Sequence, residues 1–448
     1  MAESIKAIKG TKDVLPSESY KLQYIEQTAL TIAKSYGFYE MRTPVFEYTE
    51  LFDRSVGETT DVVQKEMYTF NDKGDRSITL RPEGTAGAVR AFLEHGLYNE
   101  PLPQKVCYLT SCYRYEKPQA GRLREFHQFG LECFGSASPI ADAEVIALAN
   151  SYLICLGLDD FVLEINSIGC PECRKKYTEA LKAYFEDKKG DLCETCLSRL
   201  DRNPMRILDC KSPVCSGIAA EAPVVLDFIC DDCREHFEKL QKYLGALGIE
   251  YVVNPQIVRG LDYYTRTVFE FVSQNEKTKG LVLAGGGRYD GLVQELGGAA
   301  TPACGLAMGL ERILMVMEES GVAFPAAPSC ELSIVTAGEN AVLKALEISA
   351  SLRAEGYAVN IDTFGRSIKA QMKYANKIGS LFTVVIGDNE LESGIVRLKC
   401  MQDGKETEVS LAEFDSGFER AYMDMATAMI ASADFSNMTQ FDINNLLG

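Results

Sequence analysis

Arginines recur beside apolar segments in the first three quarters of the chain, where strands are expected to end. A guanidinium group donates two parallel hydrogen bonds in one plane, so it suits the binding of phosphate and carboxylate groups. These side chains could therefore hold an anionic ligand, although a charged strand end that simply meets water has the same sequence. The arginines in question are Arg81, Arg114, Arg122, Arg124, Arg259, Arg266, Arg288 and Arg312.

The stretch RGLDYYTRTVFEF, residues 259–271, combines one of these arginines with two adjacent tyrosines. Its content of Val, Phe, Tyr and Thr favours a β-strand, in which alternate side chains share a face. The residues predicted to share one face are Tyr264, Arg266, Val268 and Glu270. Two interpretations remain: an edge strand whose charged end meets water, or a pocket in which Arg259 binds an anion and the tyrosines bind a small polar ligand.

The glycine-rich segments exclude one common nucleotide site. No G-x-x-x-x-G-K-[ST] sequence occurs, so the chain has no P-loop. The segment AGGGRYDG, residues 284–291, lacks the G-x-G-x-x-G spacing of a dinucleotide site. We interpret it as a tight turn.

Two neighbouring strands are predicted to carry charged and amide groups. KVCYLTSCYRYEK and EFHQFGLECFG read as antiparallel strands joined by a glycine-containing loop. Arg114 and Glu116 share a face of the first strand, and Gln128 and Glu132 share a face of the second. Polar groups in strands this apolar indicate a site. His127 lies on the face opposite Gln128, and we interpret it as structural.

The elements before this pair are a helix, an extended segment and a strand-to-helix junction. Residues 19–36 have the apolar stripe of an amphipathic helix, which leads into a segment whose Pro44 suits an edge or interface strand. This helix and strand could form a dimer interface or pack in the core. SITLRPEGTAG predicts a strand ending at Pro82 and a helix capped by Thr85, which places Glu83 at the junction.

Length, charge and cysteine content place the chain in a broad class. With 448 residues we expect two to four domains. The 46 basic and 64 acidic residues give a net charge of −18, which argues against a polyanionic partner unless a local basic face exists. No apolar run approaches the ~18 residues of a membrane helix, and the N-terminus lacks the apolar segment of a signal peptide. We therefore expect a cytoplasmic protein with no membrane partner.

Eight of the 15 cysteines fall within residues 170–233, in the sequences CPEC, CETC, CKSPVC and CDDC. Paired C-x-x-C units have zinc-finger spacing, and an insertion of about 75 residues is small for a core of its own. A structural zinc and reduced thiols both remain open. The cysteines are Cys170, Cys173, Cys193, Cys196, Cys210, Cys215, Cys230 and Cys233.

Beyond the Pro/Ala-rich linker VAFPAAPS, residues 322–329, strands and helices alternate. This pattern predicts a small α/β domain with a largely parallel sheet. Four basic residues are spaced three and four apart on a helix expected from about 366 to 378: Arg366, Lys369, Lys373 and Lys377. This basic stripe is either a solvated face or a surface that tracks phosphates. From about residue 426 no strong period remains, and we expect a mobile tail.

Several of these segments together resemble a known family. YRYEKPQAGRLREFHQFGLECFG resembles motif 2 of the class II aminoacyl-tRNA synthetases, and CGLAMGLERI resembles their motif 3. RGLDYYTRTVFEF and AGGGRYDGLV are similar to the two signature peptides of the histidyl-tRNA synthetases. GTKDVLP, LRPEGTAG and the C-terminal α/β segment match that family too, so the resemblance covers about residues 5–425.

The resemblance implies an α+β fold: a class II antiparallel sheet with flanking helices, an inserted Cys-rich module, and a C-terminal α/β anticodon-binding domain. It also implies a homodimer through the helix and strand of residues 19–50. The expected divisions are 1–167 and 246–325 for the two parts of the catalytic core, 168–245 for the module, 329–425 for the anticodon-binding domain and 426–448 for the tail.

The activity implied is ligation of histidine to its tRNA in two steps, with ATP as substrate and Mg²⁺ bridging its phosphates. Arg114 and Arg259 would flank the α-phosphate, and Arg312 would hold the γ-phosphate, so these three are the expected catalytic residues. The ATP-binding set would be Arg114, Glu116, Arg122, Arg124 and Arg312. The histidine-binding set would be Glu83, Gly84, Thr85, Arg114, Gln128, Glu132, Arg259, Tyr263 and Tyr264.

For tRNA, the resemblance places Gln119 and its loop at the acceptor end, and the basic stripe of the C-terminal domain at the anticodon. Two rivals remain. The synthetase-like regulatory subunit of ATP phosphoribosyltransferase would bind histidine without ligating it, but it lacks an anticodon domain. The paired signatures RGLDYY and GGGRYDG argue against another class II synthetase.

Overall fold

The structure is a computed structural model that describes residues 4–57, 60 and 62–432. It divides into two compact units, residues 1–325 and 326–448, at a boundary inside the linker expected from sequence. Among the described residues no single helix has the length and apolar composition needed to cross a membrane. One pair of segments, bent by 99°, meets both criteria only when joined: Pro213–Asp227 and Asp231–Ala246.

The first unit is organised around an eight-stranded sheet in the order β1-β5-β6-β11-β10-β9-β7-β8. Only the outermost pairs, β1 with β5 and β7 with β8, are parallel. The strands of this sheet are β1 (Tyr39–Glu40), β5 (Gln104–Tyr113), β6 (Glu125–Phe134), β7 (Phe161–Ser167), β8 (Val252–Val253), β9 (Thr265–Ser273), β10 (Val282–Arg288) and β11 (Ala303–Gly309). A second sheet, in the order β2-β4-β3, contains β2 (Phe46–Tyr48), β3 (Tyr68–Asn71) and β4 (Ser77–Leu80). The antiparallel class II sheet expected from sequence is confirmed.

Helices cover part of the large sheet. The helices outside the Cys-rich module are α1 (Pro16–Ser35), α2 (Thr49–Val56), α3 (Thr85–Glu94), α4 (Pro139–Cys155), α9 (Leu292–Glu295) and α10 (Leu310–Glu319). α4 contacts strands β6, β10 and β11 and also packs against α1. It is buried along most of its length, which explains why its sequence, PIADAEVIALANSYLIC, is apolar on every side rather than amphipathic.

The Cys-rich module follows β7 and consists of four helices: α5 (Pro171–Glu186), α6 (Glu194–Arg202), α7 (Pro213–Ala220) and α8 (Asp231–Ala246). It buries a cluster of its own that includes Tyr177, Leu181, Phe185 and Leu200. The module therefore has a hydrophobic core of its own, although its length alone indicated that it was small for one. α8 also packs on α4 and β9, which joins the module to the eight-stranded sheet.

The second unit is a five-stranded sheet in the order β13-β12-β14-β15-β16. Its strands are β12 (Leu332–Thr336), β13 (Val359–Ile361), β14 (Phe382–Ile386), β15 (Ile395–Cys400) and β16 (Glu406–Ser410), and its helices are α11 (Glu339–Ala354), α12 (Ile368–Lys377), α13 (Asp388–Ser393) and α14 (Phe414–Ser432). The expectation of a largely parallel sheet is wrong for two of its four strand pairings. β14, β15 and β16 pair antiparallel because a short connection can join consecutive strands only in that direction.

The expectation of a mobile tail from about residue 426 is wrong for residues 426–432, which belong to α14. The rest of that segment lies outside the described residues.

Candidate active site

A cavity of about 600 Å³ opens in the first unit and gathers most of the residues expected to act on a ligand. Its walls include residues of β6, β7, β9, β10 and β11, the loop between β5 and β6, the starts of α3 and α10, and the loop before β9. The expected residues that line it are Glu83, Thr85, Arg114, Glu116, Arg122, Gln128, Glu132, Arg259, Tyr263, Tyr264 and Arg312. One cavity thus joins groups that are up to 229 positions apart in sequence.

Glu132 is the central acid of the apolar end of the cavity. It lies on β6, is fully buried, and accepts hydrogen bonds from the hydroxyl groups of Tyr108, at 2.7 Å, and Tyr289. Burial raises the pKa of Glu132 to about 8, although the two tyrosine hydrogen bonds work in the opposite direction. Gly305 on β11 faces this carboxylate, where any side chain would collide with it. The cavity thus ends in a carboxyl group that can give or take a proton near neutral pH.

Tyrosine rings surround that carboxyl group. Tyr263 lies 4.7 Å from Tyr264 and 5.5 Å from Tyr289, measured between ring centroids. Neither Tyr108 nor Tyr289 was expected in the site from sequence. The alternating pattern of β5 did not distinguish Tyr108 from a tyrosine of the hydrophobic core. The segment that carries Tyr289 was interpreted as a turn. That interpretation is wrong for residues 284–288, which belong to the central strand β10, whose glycines allow close approach of neighbouring groups; the turn follows at residues 290 and 291.

Arg259 lies at the polar side of these rings. Its guanidinium group is ion-paired with Glu270 and stands 5.6 Å from the centre of the Tyr264 ring. Its Nε is buried and has no hydrogen-bond partner among the described residues. A side chain at Gly285 would meet the guanidinium nitrogens at 2.5 Å, so the glycine of β10 makes room for Arg259. Glu270 was placed on this face by alternation but was not expected to act in the site.

The strand that follows Arg259 does not alternate as expected. Pairing between β9 and β10 skips from Val268 opposite Gly287 to Thr265 opposite Arg288, and Arg266 adopts a φ of 52°. Such a bulge turns one residue out of the pleat. Arg266 therefore leaves the face of Tyr264 and points to His236 of α8, at 3.4 Å. Its placement with Tyr264 and Glu270 is wrong for this reason.

Two more arginines stand at the polar end. Arg114 donates from Nε to the carbonyl of Pro82 at 2.8 Å and lies 3.7 Å from Glu116. Arg312, in the first turn of α10, donates to the carbonyls of Gly121 and Val282 at 3.0 and 3.2 Å. Burial lowers the pKa of Arg312, and the nearby positive charge of Arg122 adds to the effect. These arginines form a positively charged wall suited to phosphate.

Glu83, rather than Thr85, caps helix α3. Its carboxylate accepts the backbone N–H groups of Thr85 at 2.8 Å and Ala86 at 2.7 Å. A glutamate reaches these donors because it stands just before the helix, so the expected Thr85 cap is wrong. Burial raises the pKa of Glu83, opposed by those two hydrogen bonds. Gly84 packs on the ring of Tyr108 and does not line the cavity.

Three other expected residues stand apart from the cavity. Arg124 stacks on Tyr115, 3.9 Å from its ring centre, and does not line the cavity. Arg288 is buried and binds Asp142 at 2.5 Å and Asp290 at 3.0 Å, so it is a structural ion-pair residue. Arg81 binds backbone carbonyls of residues 43, 44 and 111. Buried arginines resemble ligand-binding ones in sequence because both stand at strand ends.

His127 lies outside the cavity, as expected. Its Nδ1 is 2.7 Å from Glu311, which also accepts its backbone N–H. The hydrogen bond to Glu311 raises the pKa of His127.

Of the residues expected to contact nucleic acid, Gln119 and the three lysines of α12 are exposed, and Arg366 is half-buried. Gln119 closes a turn through two backbone hydrogen bonds with Arg122. Lys369, Lys373 and Lys377 point outward from α12, whose buried face is Gln371 and Ala375. Arg366 precedes the helix and is paired with Asp362, so its expected place on the helix is wrong.

The eight cysteines of the module form two groups of four. In each group all sulfur atoms lie within 4.8 Å of one another. One group is Cys170, Cys173, Cys230 and Cys233, and the other is Cys193, Cys196, Cys210 and Cys215. The module also adds to the cavity lining residues that sequence did not indicate, namely Arg199, Arg206, Leu208, Asp209 and Lys211.

Comparison with known proteins gives a consistent result. A family model described as histidyl-tRNA synthetase matches residues 10–313, and an anticodon binding domain matches residues 331–420. The chain is 54% identical to the histidine–tRNA ligase of Clostridium perfringens, over 91% of this chain and 97% of that protein. It is also 54% identical to that of Caldanaerobacter subterraneus, over 92% and 99%. The crystal structure of apo histidyl-tRNA synthetase from S. aureus matches with a TM-score of 0.80 and 40% identity, covering 93% of this chain and all of that one.

Proposed function

The chain belongs to the histidyl-tRNA synthetase family, and on that premise we propose how its residues carry out the reaction. It is an aminoacyl-tRNA ligase, and the regulatory-subunit alternative is not supported. A histidine carboxylate oxygen attacks the α-phosphorus of ATP, and pyrophosphate leaves. A ribose hydroxyl at the 3′ end of tRNA then attacks the carbonyl carbon of the adenylate, and AMP leaves.

The observation that carries the assignment of roles is the enclosure of Arg114, Arg259 and Arg312 in one cavity with Glu132. Charge moves between oxygens in both steps, so fixed cations near the α-phosphate stabilise the transition state. Arg114 and Arg259 are assigned to that phosphate and to the histidine carboxylate. Arg312 is assigned to the γ-phosphate. The buried, unpartnered Nε of Arg259 supports this role because it is a donor in need of an acceptor.

The imidazole of histidine is assigned to the end of the cavity formed by Glu132 and the tyrosines. A neutral imidazole has one N–H donor and one acceptor nitrogen, and Glu132 can accept from the first. The raised pKa of this carboxyl lets the acid and the imidazole share one proton near neutral pH. Glu83, Thr85 and Gln128 line the wall nearby and are assigned to the α-amino group and carboxylate. A pocket that binds both polar edges of the ring rejects apolar amino acids.

ATP would lie along the arginine wall, with Glu116 and Arg122 near its base or phosphates. Phe126 is the aromatic ring of the lining that stands apart from the tyrosines, so we assign the adenine to it. Mg²⁺ would neutralise the phosphates. Glu116 and Glu270 are ion-paired to arginines, and the described residues hold no group of three carboxylates, so the metal would arrive with ATP and keep water ligands.

The expected homodimer and tRNA contacts are part of the proposal. The segment around β1 and β2 exposes Tyr39, Phe46 and Tyr48, each more than half accessible, which is typical of a protein interface. The lysines of α12 and the turn at Gln119 would meet the tRNA. Zinc in the Cys-rich module would be structural, because the cysteines do not line the cavity.

The test is amino-acid-dependent exchange of pyrophosphate into ATP across all twenty amino acids. Exchange with histidine alone is expected. Arg259→Ala is expected to lower the rate by about 10²-fold or more, the usual effect of removing a charge-stabilising donor. Arg259→Ala leaves Glu270 unpaired, so the double variant Arg259→Ala/Glu270→Gln is the matched control. If the double variant regains the lost rate, Arg259 serves only to neutralise Glu270, and its assigned role is wrong.

A further inference from the structure

The four cysteine pairs of the module stand in equivalent places. Cys170, Cys193 and Cys230 are the residues directly before α5, α6 and α8, and their C-x-x-C partners lie in the first turn of each helix. Cys215 lies in the first turn of α7, with Cys210 shortly before it. Each pair thus presents two sulfur atoms at a helix N-terminus, where a negative ligand is stabilised.

The sulfur separations fit one metal ion in each group. A tetrahedral zinc site with Zn–S bonds of about 2.3 Å places its sulfur atoms roughly 3.8 Å apart. Here Cys170 and Cys173 are 3.5 Å apart, Cys173 and Cys233 4.0 Å, and Cys193 and Cys210 3.9 Å. Backbone N–H groups point at two of the sulfurs, from Cys230 to Cys173 at 3.0 Å and from Cys193 to Cys215 at 3.3 Å. Such donors stabilise thiolate ligands.

Each group is next to side chains that hold the loop after Arg259. Arg174, adjacent to Cys173, donates to the carbonyls of Tyr264 at 3.0 Å and Asp262 at 3.3 Å. The residue before Cys170, Gly169, accepts the backbone N–H of Arg266 at 2.9 Å. The first cysteine group therefore adjoins both the loop and the bulge at the start of β9.

The second group reaches the same loop from the other side. Between Cys196 and Cys210 lie Asn203 and Arg206. Asn203 donates to the carboxylate of Asp262 at 3.0 Å, and Arg206 contacts the same oxygen at 3.4 Å. Arg206 also donates to the carbonyl of Gly260 at 2.5 Å. Segment 260–264 is thus held by three side chains, one beside the first cysteine group and two inside the second.

We infer that the module binds two zinc ions, one in each cysteine group, and that these ions set the position of segment 260–264 and thereby the affinity for histidine. The second part rests on the proposed function of Arg259, Tyr263 and Tyr264. Each zinc fixes the first turns of the helices that carry or flank Arg174, Asn203 and Arg206. These three are positioning residues, because they bind the backbone and Asp262 rather than the substrate.

The metal content is measured on the full chain purified under reducing conditions, by elemental analysis and by thiol titration. Two zinc ions per chain are expected. Cys170→Ser/Cys230→Ser and Cys193→Ser/Cys210→Ser are each expected to retain one, and the control Cys400→Ser, in the second unit, two. A chain with no metal, in which all eight cysteines of the module react with the thiol reagent, overturns the inference. A single ion lost in both variants overturns the two-site arrangement.

Cobalt replacement tests the same point without substitution. Titration of the zinc-free chain with Co²⁺ is expected to develop sulfur-to-cobalt charge-transfer and tetrahedral d–d absorption that saturates at two equivalents. Saturation at one equivalent, or an octahedral spectrum, contradicts two four-sulfur sites. This measurement keeps the inference testable where a cysteine variant does not fold.

The effect on the pocket is measured by calorimetric titration with histidine and, separately, with ATP. Loss of the second zinc in Cys193→Ser/Cys210→Ser is expected to weaken histidine binding about fivefold to tenfold, the effect of one or two hydrogen bonds. ATP affinity should change less than histidine affinity, since Arg259 is the one arginine assigned to ATP that adjoins the clamped segment, whereas Arg114, Arg122 and Arg312 are distant from it in sequence. Asp262→Ala should give the same loss with both zinc ions present, and the two changes should not add.

Unchanged histidine affinity in both variants overturns the positioning role while leaving the metal count intact. A chain that holds two zinc ions and binds histidine, but shows no pyrophosphate exchange, would instead overturn the proposed function. The two failures are therefore separate results.

Discussion

At the scale of single residues, sequence identified the charged groups of the cavity better than their partners. Arg114, Arg259 and Arg312 were expected from motifs, and the structure brings them to one cavity. Glu270, Tyr108 and Tyr289 were missed. The residues that neighbour them in sequence do not show whether such a side chain faces a cavity or the core. Arg288 is the opposite case, a candidate from sequence that proves to be structural. Its buried ion pair with Asp142 depends on the tertiary fold and cannot be read from sequence spacing.

Glu132 should make stability depend on pH. Its pKa is about 8 in the folded chain against an ordinary value of 4.5, so the folded state binds more protons between these values. Stability from this group is therefore full below about pH 4.5 and falls as pH rises through about 8. Glu132→Gln removes the titrating group. The free energy of unfolding in urea should therefore fall for the wild type relative to the variant as pH rises across that range. Exposed Glu250→Gln is the control, and parallel curves for Glu132→Gln and wild type would refute the raised pKa.

At the scale of elements, regular segments were predictable and irregular ones were not. The β5–β6 hairpin follows from the alternation of apolar residues, and this prediction is confirmed. The bulge at Arg266 was not predictable, because a positive φ at an arginine depends on the backbone bonds that residues 168 and 169 provide. The strand β10 was interpreted as a turn because three glycines carry no strand signal.

Helix α12 carries a prediction that belongs to the element as a whole. Lys369→Ala/Lys373→Ala/Lys377→Ala should raise the KM for tRNA in aminoacylation and leave pyrophosphate exchange unchanged. Each phosphate contact contributes about 0.7 to 0.9 to the slope of log affinity against log salt, so the slope should fall by about 2 to 3. Lys344→Ala on α11 is the control. If the salt dependence of tRNA affinity in the triple variant equals that of the wild type, this face of α12 only contacts solvent.

At the scale of the whole molecule, the linker marks the division between the two units, and Pro and Ala composition was enough to place it. The net charge of −18 predicted little about nucleic-acid binding, because binding depends on local faces rather than on the total. Assembly is likewise a property of surfaces. Within the part of the chain that the structure describes, Tyr39, Phe46 and Tyr48 around β1 and β2 remain more than half exposed.

The proposed dimer can be tested on this surface. Phe46→Glu, at a position 57% exposed, places a charge in the expected interface and should shift the chain from dimer to monomer in sedimentation velocity. Leu343→Glu, at a position 56% exposed in the second unit, should leave the dimer unchanged. Dissociation by both variants, or by neither, would place the interface elsewhere.

The insertion of the Cys-rich module between β7 and β9 bears on the order of folding. Ser167 and Thr267 are paired across the sheet although a hundred positions separate them in sequence. Joining two such distant strands through an unstructured loop costs chain entropy that grows with the length of the loop. A module that has formed its own core brings the two ends together and removes most of that cost. β9, which directly follows Tyr263 and Tyr264 of the proposed histidine pocket, should therefore be among the last strands of the sheet to form.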